Sequence, residues 1–240
     1  MGIVYIGKCL LIKEKGKKIL VVGDLHLGFE ESLNESGILV SRYMFKEMIE
    51  YFDRVFKKTG KVDSIVLLGD VKHHFGKILK QEWSDVLKLF DYFFKKMEKK
   101  GEIIITKGNH DTILEPILRK RENIKLSDYF IFGEYCFLHG DKDFLEMYNK
   151  KIRVWIMGHG HPAMKLSDGV KTEGYKSFLV GKYKGKEVII VPSFIDMREG
   201  SDPRENDLGL AWNFNLSRFR VMVVSEDLDV LDFGRLKELR

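Results

Sequence analysis

Short apolar runs rich in β-branched residues recur along the chain and end abruptly in glycine and polar residues. This pattern constrains the fold more than any other feature. Apolar residues at successive positions indicate strands that are covered on both faces. Ligands of open α/β sheets bind at the C-terminal ends of the strands, so the polar residues there are candidate functional residues. The five clearest runs span residues 19–22, 65–68, 103–105, 136–138 and 154–157.

Two amphipathic segments, residues 44–56 and 83–97, separate the first three runs. Their apolar residues recur every three or four positions, which predicts helices packed on a core. Strands that alternate with helices pair in parallel through right-handed crossovers. After residue 124 the pattern changes, because Gly133-Glu134 and Lys184-Gly185 each separate two strand-like runs and predict hairpins.

An α/β fold reconciles these two halves if two mixed sheets pack face to face and helices cover the outside. Residues 195–206 carry glycine, proline and many charges, which predicts a loop before terminal strands at 220–224 and 229–233. The chain has no clean linker and no internal repeat. We therefore expect a single domain over residues 1–240.

Composition excludes several classes of protein. The balance of 41 basic and 36 acidic residues gives a net charge of +5, which is too small to indicate a nucleic-acid binder by charge alone. Cys9 and Cys136 lack metal-binding spacing, so we expect buried thiols in a reducing compartment. No apolar stretch approaches the roughly 18 residues that a membrane span needs. These features predict a cytoplasmic protein with no membrane partner.

Histidine carries the functional signal, because every histidine lies within a few residues of the C-terminal end of a run. In Asp24-x-His26 and His159-x-His161, side chains two positions apart face the same side of an extended segment and can chelate. The seven histidines are His26, His73, His74, His110, His139, His159 and His161.

Three other runs end near Asp70, Asn109 and His139. With the two pairs they supply four imidazoles, two carboxylates and one amide oxygen. Such donors suit Mn, Fe or Zn and disfavour copper(I) and iron–sulfur clusters. Seven ligands exceed the needs of one tetrahedral ion and suit two ions that share a carboxylate. We expect two divalent cations, with Mn²⁺ first and Fe, Zn, Ni or Co as alternatives.

The order of these motifs resembles that of the calcineurin-like metallophosphoesterases, whose five sequence blocks follow strands in the same succession. The blocks span residues 24–161. The resemblance implies a four-layer αββα sandwich with a dinuclear site at the strand ends. It also implies a ligand set in which Asp24, His26 and His161 hold one metal, Asn109, His139 and His159 hold the other, and Asp70 bridges them.

Within this family, the chain is most similar to the SbcD-related phosphoesterases, an archaeal group named for a DNA-repair nuclease. Calcineurin-type protein phosphatases usually carry Asp and then Arg where this chain has His73 and His74, and Glu where it has Asp111. This departure argues against a phosphoprotein substrate. The nuclease family, by contrast, has a histidine at the position of His73.

The resemblance implies phosphodiester hydrolysis, with a hydroxide held between the metals attacking phosphorus. The leaving alkoxide needs a proton, and His110 is the candidate general acid because it follows Asn109 and projects beside the site. Asp111, or another carboxylate, is expected to hold the tautomer of His110. His73 is expected to contact the phosphate or to assist protonation of the leaving group. A structural role is the alternative for His110.

The sequence leaves two interpretations open for His74, for Asp141 and for the loop at residues 193–206. His74 supports the site or lies at the surface. Asp141 orients a ligand imidazole or forms a turn. The loop at residues 193–206 overhangs the site and selects the substrate, or it is a solvated surface loop. Its charged residues include Asp196, Arg198 and Arg204.

Three functions follow from these features. The first is a dinuclear phosphodiesterase acting on small diesters, cyclic nucleotides or nucleic-acid ends. The second is an SbcD-type DNA or RNA nuclease that works in repair. The third is a non-catalytic scaffold, and the intact ligand set and His110 argue against it. The expected partner is a phosphodiester substrate, and the sequence leaves the formation of a homo-oligomer open.

Overall fold

The computed structural model describes residues 2–167, 169–195, 197 and 200–239. The strands of the first half are β1 (Gly2–Ile6), β2 (Cys9–Glu14), β3 (Lys17–Val22), β4 (Val62–Leu67), β5 (Met97–Thr106) and β6 (Ile124–Ser127). The helices are α1 (Phe29–Glu35), α2 (Met44–Thr59), α3 (Lys80–Lys96) and α4 (Glu115–Leu118). The second half contributes β7 (Tyr129–Phe132), β8 (Tyr135–Leu138), β9 (Val154–Met157), β10 (Ala163–Ser167), β11 (Thr172–Tyr183), β12 (Lys186–Ile190), β13 (Arg220–Val224) and β14 (Val230–Arg235).

The first sheet contains β1 to β6 in chain order. β1, β2 and β3 pair antiparallel through short turns. β3, β4, β5 and β6 pair in parallel, since helices make the crossovers from β3 to β4 and from β4 to β5. The parallel pairing predicted for the first half is confirmed.

The second sheet has the order β14-β13-β11-β12-β9-β8-β7, and β10 pairs with β11. Both predicted hairpins are present, with β7 antiparallel to β8 around Gly133-Glu134 and β11 antiparallel to β12 around Lys184-Gly185. β8, β9 and β12 are parallel, so β8 and β9 end at the same edge.

The central strands are buried on both faces, as their continuous apolar runs predict. In β3, Leu20 and Val22 face the helices, whereas Ile19 and Val21 face the second sheet. Helices α2 and α3 meet over the first sheet, where the rings of Phe52 and Phe93 lie 4.9 Å apart. Truncation of a fully buried ring such as Phe52 to alanine costs about 3–5 kcal/mol.

The outer face of the second sheet is covered by irregular chain, in which Trp212 and Phe214 pack near Trp155. An α/β fold of two mixed sheets is thus confirmed, and the α-helices described all lie in the first half of the chain, where α2 and α3 pack on the first sheet. That residues 1–240 form a single domain stays a prediction. None of the helices in the described part of the chain is long and apolar enough to cross a membrane.

Candidate active site

The loops that follow β3, β4, β5, β8 and β9 meet at one end of the two sheets. The backbone N–H of His26 donates to the carbonyl of Asp70 at 2.8 Å, which extends the pairing of β3 and β4 beyond the strands. The N–H of His159 donates to Oδ2 of Asp24 at 3.0 Å and ties the second sheet to the first. The structure brings together all the sequence-predicted metal ligands: Asp24, His26, Asp70, Asn109, His139, His159 and His161.

These residues form two donor groups. In the first donor group, Asp24, His26, Asp70 and His161, the ligand atoms all lie within 4.8 Å of one another. The Nε2 atom of His161 is 3.3 Å from Oδ1 of Asp24 and 3.3 Å from Nε2 of His26. Four side chains thus direct oxygen and nitrogen donors at one point, as the binding of a divalent cation such as Mn²⁺, Fe²⁺ or Zn²⁺ requires.

The second donor group consists of Asp70, His139 and His159, with Asn109 beside them. The Nε2 atom of His139 is 3.0 Å from Nδ1 of His159 and 3.0 Å from Oδ1 of Asn109. Asp70 belongs to both groups, because its Oδ2 lies 3.5 Å from Nε2 of His26 and 3.5 Å from Nε2 of His139. A carboxylate in this position can contact two cations at once.

A hydrogen bond to the backbone fixes the orientation of His139. Its Nδ1–H donates to the carbonyl of Leu68 at 2.7 Å, which leaves the lone pair of Nε2 directed at the other donors. Such support of the second ring nitrogen is typical of histidines that bind metals.

Four of the candidate ligands hold a left-handed backbone conformation. The φ angles of His26, Asp70, His159 and His161 are 44°, 47°, 63° and 43°. This conformation costs roughly 1–2 kcal/mol for a residue with a side chain, and strain of this kind clusters at functional sites. The side chains of all four residues belong to the donor groups.

Glycines in the motifs make room for the two carboxylates. A Cβ atom on Gly108 would lie 2.2 Å from Oδ1 of Asp70, and one on Gly158 would lie 2.5 Å from Oδ2 of Asp24. The glycines in Gly-Asn-His and Gly-His-x-His are therefore required for packing against the carboxylates, whereas the residues that follow them supply candidate ligands.

The two buried carboxylates fit a positively charged ligand. Burial, reinforced by the charges of Asp24 and Asp111, raises the pKa of Asp70 to about 9. Burial also acts to raise the pKa of Asp24, but His161 and the other nearby histidines outweigh it and hold that pKa below its usual range. The pair resists full ionisation because its charges repel, and divalent cations beside it would stabilise both charges.

Two of the candidate histidine ligands, His26 and His159, are held in the neutral form that metal ligation needs. Burial lowers the pKa of His26 well below its usual value, and the charge of His161 lowers it further. Burial, followed by the charge of His139, also lowers the pKa of His159. The donor set is thus ready for cations without the loss of bound protons from these two imidazoles.

His110 lies beside the shared carboxylate. Its backbone N–H donates to Oδ1 of Asp70 at 2.9 Å, and the Nδ1–H of its ring donates to the carbonyl of His73. The opposite ring nitrogen, Nε2, is 3.9 Å from Oδ2 of Asp70 and faces the centre. Burial lowers the pKa of His110 to about 4.

The role expected of Asp111 is wrong. Its Oδ1 accepts the N–H of Val71 at 3.0 Å, and its Oδ2 accepts the N–H of Gly108 at 3.1 Å. This fully buried carboxylate braces the loop after β4 against the loop after β5. The carbonyl of His73, instead, holds the tautomer of His110.

His73 and His74 differ although they are adjacent. The Nδ1 atom of His73 is 3.3 Å from Nδ1 of His26, and its side chain lines the central cavity. His26, His73 and His110 form a further cluster of donors, which contains no carboxylate. In His74, Nδ1 accepts the N–H groups of Gly76 and Lys77 at 3.2 and 3.3 Å, so this side chain shapes a turn.

The loop at residues 193–206 contributes one wall of the site. Ile195 lines the central cavity, and the N–H of Ser201 donates to the carbonyl of His161 at 2.9 Å. Arg204 forms an ion pair with the buried Asp202, at 2.7 Å. Asp196 and Arg198 lie outside the described residues.

Asp141 was one candidate for orienting a ligand imidazole. Its carboxylate is 3.8 Å from Nζ of Lys142, and the ring of His139 is held by Leu68 instead. The charge of Asp141 acts on His159, where it opposes the lowering of the pKa.

The central cavity measures about 130 Å³ and is lined mainly by candidate ligands. A larger cavity of about 750 Å³ lies elsewhere, between Lys8 and Tyr51 on one side and β11 on the other, and contains none of those ligands. Donor chemistry, and not volume, identifies the site. Sequence reasoning missed Phe75, whose ring centroid lies 3.6 Å from that of His110, because an aromatic residue in a loop has no periodic pattern.

Comparison with known proteins agrees with this geometry. A family model described as calcineurin-like phosphoesterase matches residues 17–224. The crystal structure of the nuclease MPE from Pseudomonas putida has a TM-score of 0.57 and 15% sequence identity, covering 94% of this chain and 100% of that one. A predicted phosphoesterase from Streptococcus pneumoniae has a TM-score of 0.38 and 13% identity, covering 91% of this chain and 98% of that one. No curated protein matches the chain significantly in sequence.

Proposed function

Since the chain belongs to the calcineurin-like phosphoesterase family, we propose that it is a phosphodiesterase that depends on two divalent cations. Its substrates are small diesters, cyclic nucleotides or nucleic-acid ends. The observation that carries the proposal is the position of Asp70, whose Oδ2 lies 3.5 Å from one histidine of each donor group and 3.9 Å from Nε2 of His110.

The described donors suit two cations. Asp24, His26 and His161 would hold the first, Asn109, His139 and His159 the second, and Asp70 both. Mn²⁺ is our first choice, with Fe, Zn, Ni or Co as alternatives, and the nitrogen and oxygen donors are compatible with each of these ions. When bound, the cations would neutralise phosphate charge and lower the pKa of water at the site.

His110 supplies the proton to the leaving group. The attacking water bonds to phosphorus and loses a proton to the solvent, the bond from phosphorus to the leaving oxygen breaks, and the proton carried at Nε2 passes to that oxygen. The carbonyl of His73 engages Nδ1–H, so Nε2 is the nitrogen that exchanges the proton. An imidazole with a pKa of about 4 is neutral near pH 7, and an adjacent phosphate anion favours its protonated form.

Two observations favour a diester. The chain has His73 and His74 where protein phosphatases of this family usually have Asp and Arg, and His73 lines the cavity beside His110. The structural neighbour from Pseudomonas putida is a nuclease. A nuclease acting on DNA or RNA is therefore the alternative within the same chemistry.

A substrate panel tests the proposal. The metal-free protein is loaded with Mn²⁺ and given an aryl phosphodiester, an aryl phosphomonoester, 2′,3′-cyclic nucleotides and end-labelled DNA. We expect the diesters to be hydrolysed, and His110→Ala to lower the rate roughly 10²- to 10⁴-fold with both cations retained. His74→Asn is the matched control, because it changes a histidine whose ring faces a turn.

Two results would contradict the proposal. Absence of turnover with every substrate and each of the cations would remove the enzymatic function and favour a scaffold. A monoester rate far above the diester rate would remove the assignment to diesters.

A further inference from the structure

Phe75 is an exposed aromatic residue that touches the proposed general acid. It lies in the loop after β4 and is 53% exposed, so burial does not account for it. Its ring centroid is 3.6 Å from that of His110, with 31° between the planes. One side of the ring therefore covers His110, which lines the central cavity, and much of the remaining surface meets solvent.

The loop that carries Phe75 is braced. Glu82 accepts the N–H of His74, and Nζ of Lys72 donates to the carbonyl of His74. Thr112 Oγ1 donates to the carbonyl of Phe75 itself at 3.1 Å. The backbone that carries the exposed ring is thus held in place before any ligand arrives, so stacking of a ligand on the ring requires little further ordering of the loop.

We propose that Phe75 stacks on the base of the leaving nucleoside and selects phosphodiesters whose leaving group carries an unpaired nucleobase. This role rests on the proposed function, because it takes His110 as the group that protonates the leaving oxygen.

The position of the leaving group follows from that proton transfer. The leaving oxygen must come within about 3 Å of Nε2 of His110. A base joined to this oxygen through a single sugar then reaches the ring next to His110, which is Phe75. Stacking on an aromatic side chain accepts every base, because every base has a flat π-face.

The same geometry predicts a preference for unpaired ends. A base inside a duplex is already stacked on its neighbours and is not free to lie on Phe75. Single-stranded or frayed nucleic acid is therefore a better substrate than a fully paired duplex of the same sequence.

A positioning role makes a different prediction. If Phe75 only holds the ring of His110, its removal slows every substrate by the same factor. If Phe75 also binds the base, its removal slows base-bearing substrates more than those without a base.

The test compares two dinucleotides that differ only in the presence of the leaving base. One is thymidylyl-thymidine, and the other carries an abasic sugar on the leaving side, prepared for both strand polarities. We expect the Mn²⁺-loaded protein to prefer the base-bearing substrate at least about fivefold in kcat/KM. Phe75→Ala should bring this ratio close to one, and Phe75→Tyr should preserve it.

A binding measurement gives a second readout, without hydrolysis. Metal-free protein is titrated into a labelled single-stranded oligothymidylate or its abasic counterpart, and fluorescence anisotropy reports the affinity. The preference for the base-bearing strand should be lost in Phe75→Ala. Phe233→Ala is the matched control, because it removes a phenylalanine that is 39% exposed on β14.

The outcomes separate the two proposals. If the wild type hydrolyses neither dinucleotide nor any diester, the proposed function fails and the role of Phe75 fails with it. If it hydrolyses both dinucleotides equally, or if Phe75→Ala leaves their ratio unchanged, only the role of Phe75 is overturned.

Discussion

The two donor groups share Asp70 but differ in charge and in support. Besides Asp70 and histidines, the first donor group contains a second carboxylate, Asp24. The second donor group has the neutral amide of Asn109 in the corresponding place. The second nitrogen of His139 is fixed by a backbone carbonyl, whereas that of His26 lies 3.3 Å from another imidazole, His73.

In the proposed function, the two donor groups would hold their cations by two distinct means. The first donor group would rely on negative charge, and its His161 is 22% exposed at the side chain. The second donor group would rely on a buried imidazole held by a backbone carbonyl, since the side chain of His139 is only 1% exposed. The predictions below test whether charge or rigidity governs each site.

Replacement of the shared residue should have the largest effect, because it removes what the groups have in common. In Asp70→Ala, we expect both cations to be lost and hydrolysis to fall on the order of 10³-fold or more. Metal analysis after gel filtration gives the stoichiometry. Asp53→Ala, on α2 and in an ion pair with Lys96, should retain both cations. Full occupancy in Asp70→Ala would refute the bridging role.

Removal of both cations should come next in size. Chelation leaves two buried carboxylates without positive partners, and each cation contributes about 2.7 kcal/mol to the free energy of unfolding at a concentration of 100 Kd. For a chain of this length, loss of one cation corresponds to a fall in Tm on the order of 5–10 °C, and loss of both to about twice that. Calorimetry with and without Mn²⁺ measures it. The Tm of Asp70→Ala should not respond to Mn²⁺, and an equal response there would contradict the shared site.

Two single substitutions test the difference between the groups directly. Asp24→Asn removes a negative charge and keeps the shape of the side chain. We expect this variant to lose the binding of one of the two cations. Asn109→Ala removes a neutral ligand and should weaken binding less, because the rigid His139 remains. Isothermal titration with Mn²⁺ gives both stoichiometry and affinity. Equal losses in the two variants would show that charge does not distinguish the groups.

Loss of the brace beneath the second group should have the smallest effect. Asp111→Asn replaces an oxygen acceptor with an amide donor that faces a backbone N–H. We expect destabilisation by about 1–3 kcal/mol, measured by denaturant unfolding. Asp141→Asn is the comparison, because that carboxylate pairs only with nearby Lys142 among the ion pairs described. A loss of activity without a loss of stability in Asp111→Asn would restore a direct role on His110.

The strand cores and their polar ends could be predicted because burial imposes a pattern on side chains. The runs before Asp24, Asp70 and Asn109 became β3, β4 and β5, with their ends at one edge. The hairpin of β1 and β2 and the short strand β6 were not predicted. β6 has only half-buried apolar residues, so its sequence lacks the continuous run that marks a central strand.

The supports of the site could not be predicted, because they involve the backbone. The carbonyl of Leu68 that orients His139 and the carbonyl of His73 that orients His110 are groups that every residue carries. Whether such a carbonyl accepts a hydrogen bond from a histidine depends on where two loops meet, and the identity of the residue does not indicate this. The same reason explains why Asp111 was given the wrong partner, since its acceptor sites are filled by distant N–H groups.

The left-handed turns at His26, Asp70, His159 and His161 also limit how the site can change. Among residues with side chains, Asn, Asp and His tolerate this backbone best, and β-branched residues tolerate it least. Exchanges among imidazole, carboxylate and amide ligands therefore leave the loops undisturbed, so metal preference can be retuned one residue at a time. Introduction of valine or isoleucine at the same positions would force the turns open. The backbone conformation at these four positions thus tolerates Asn, Asp and His, which can bind metals, better than it tolerates β-branched residues.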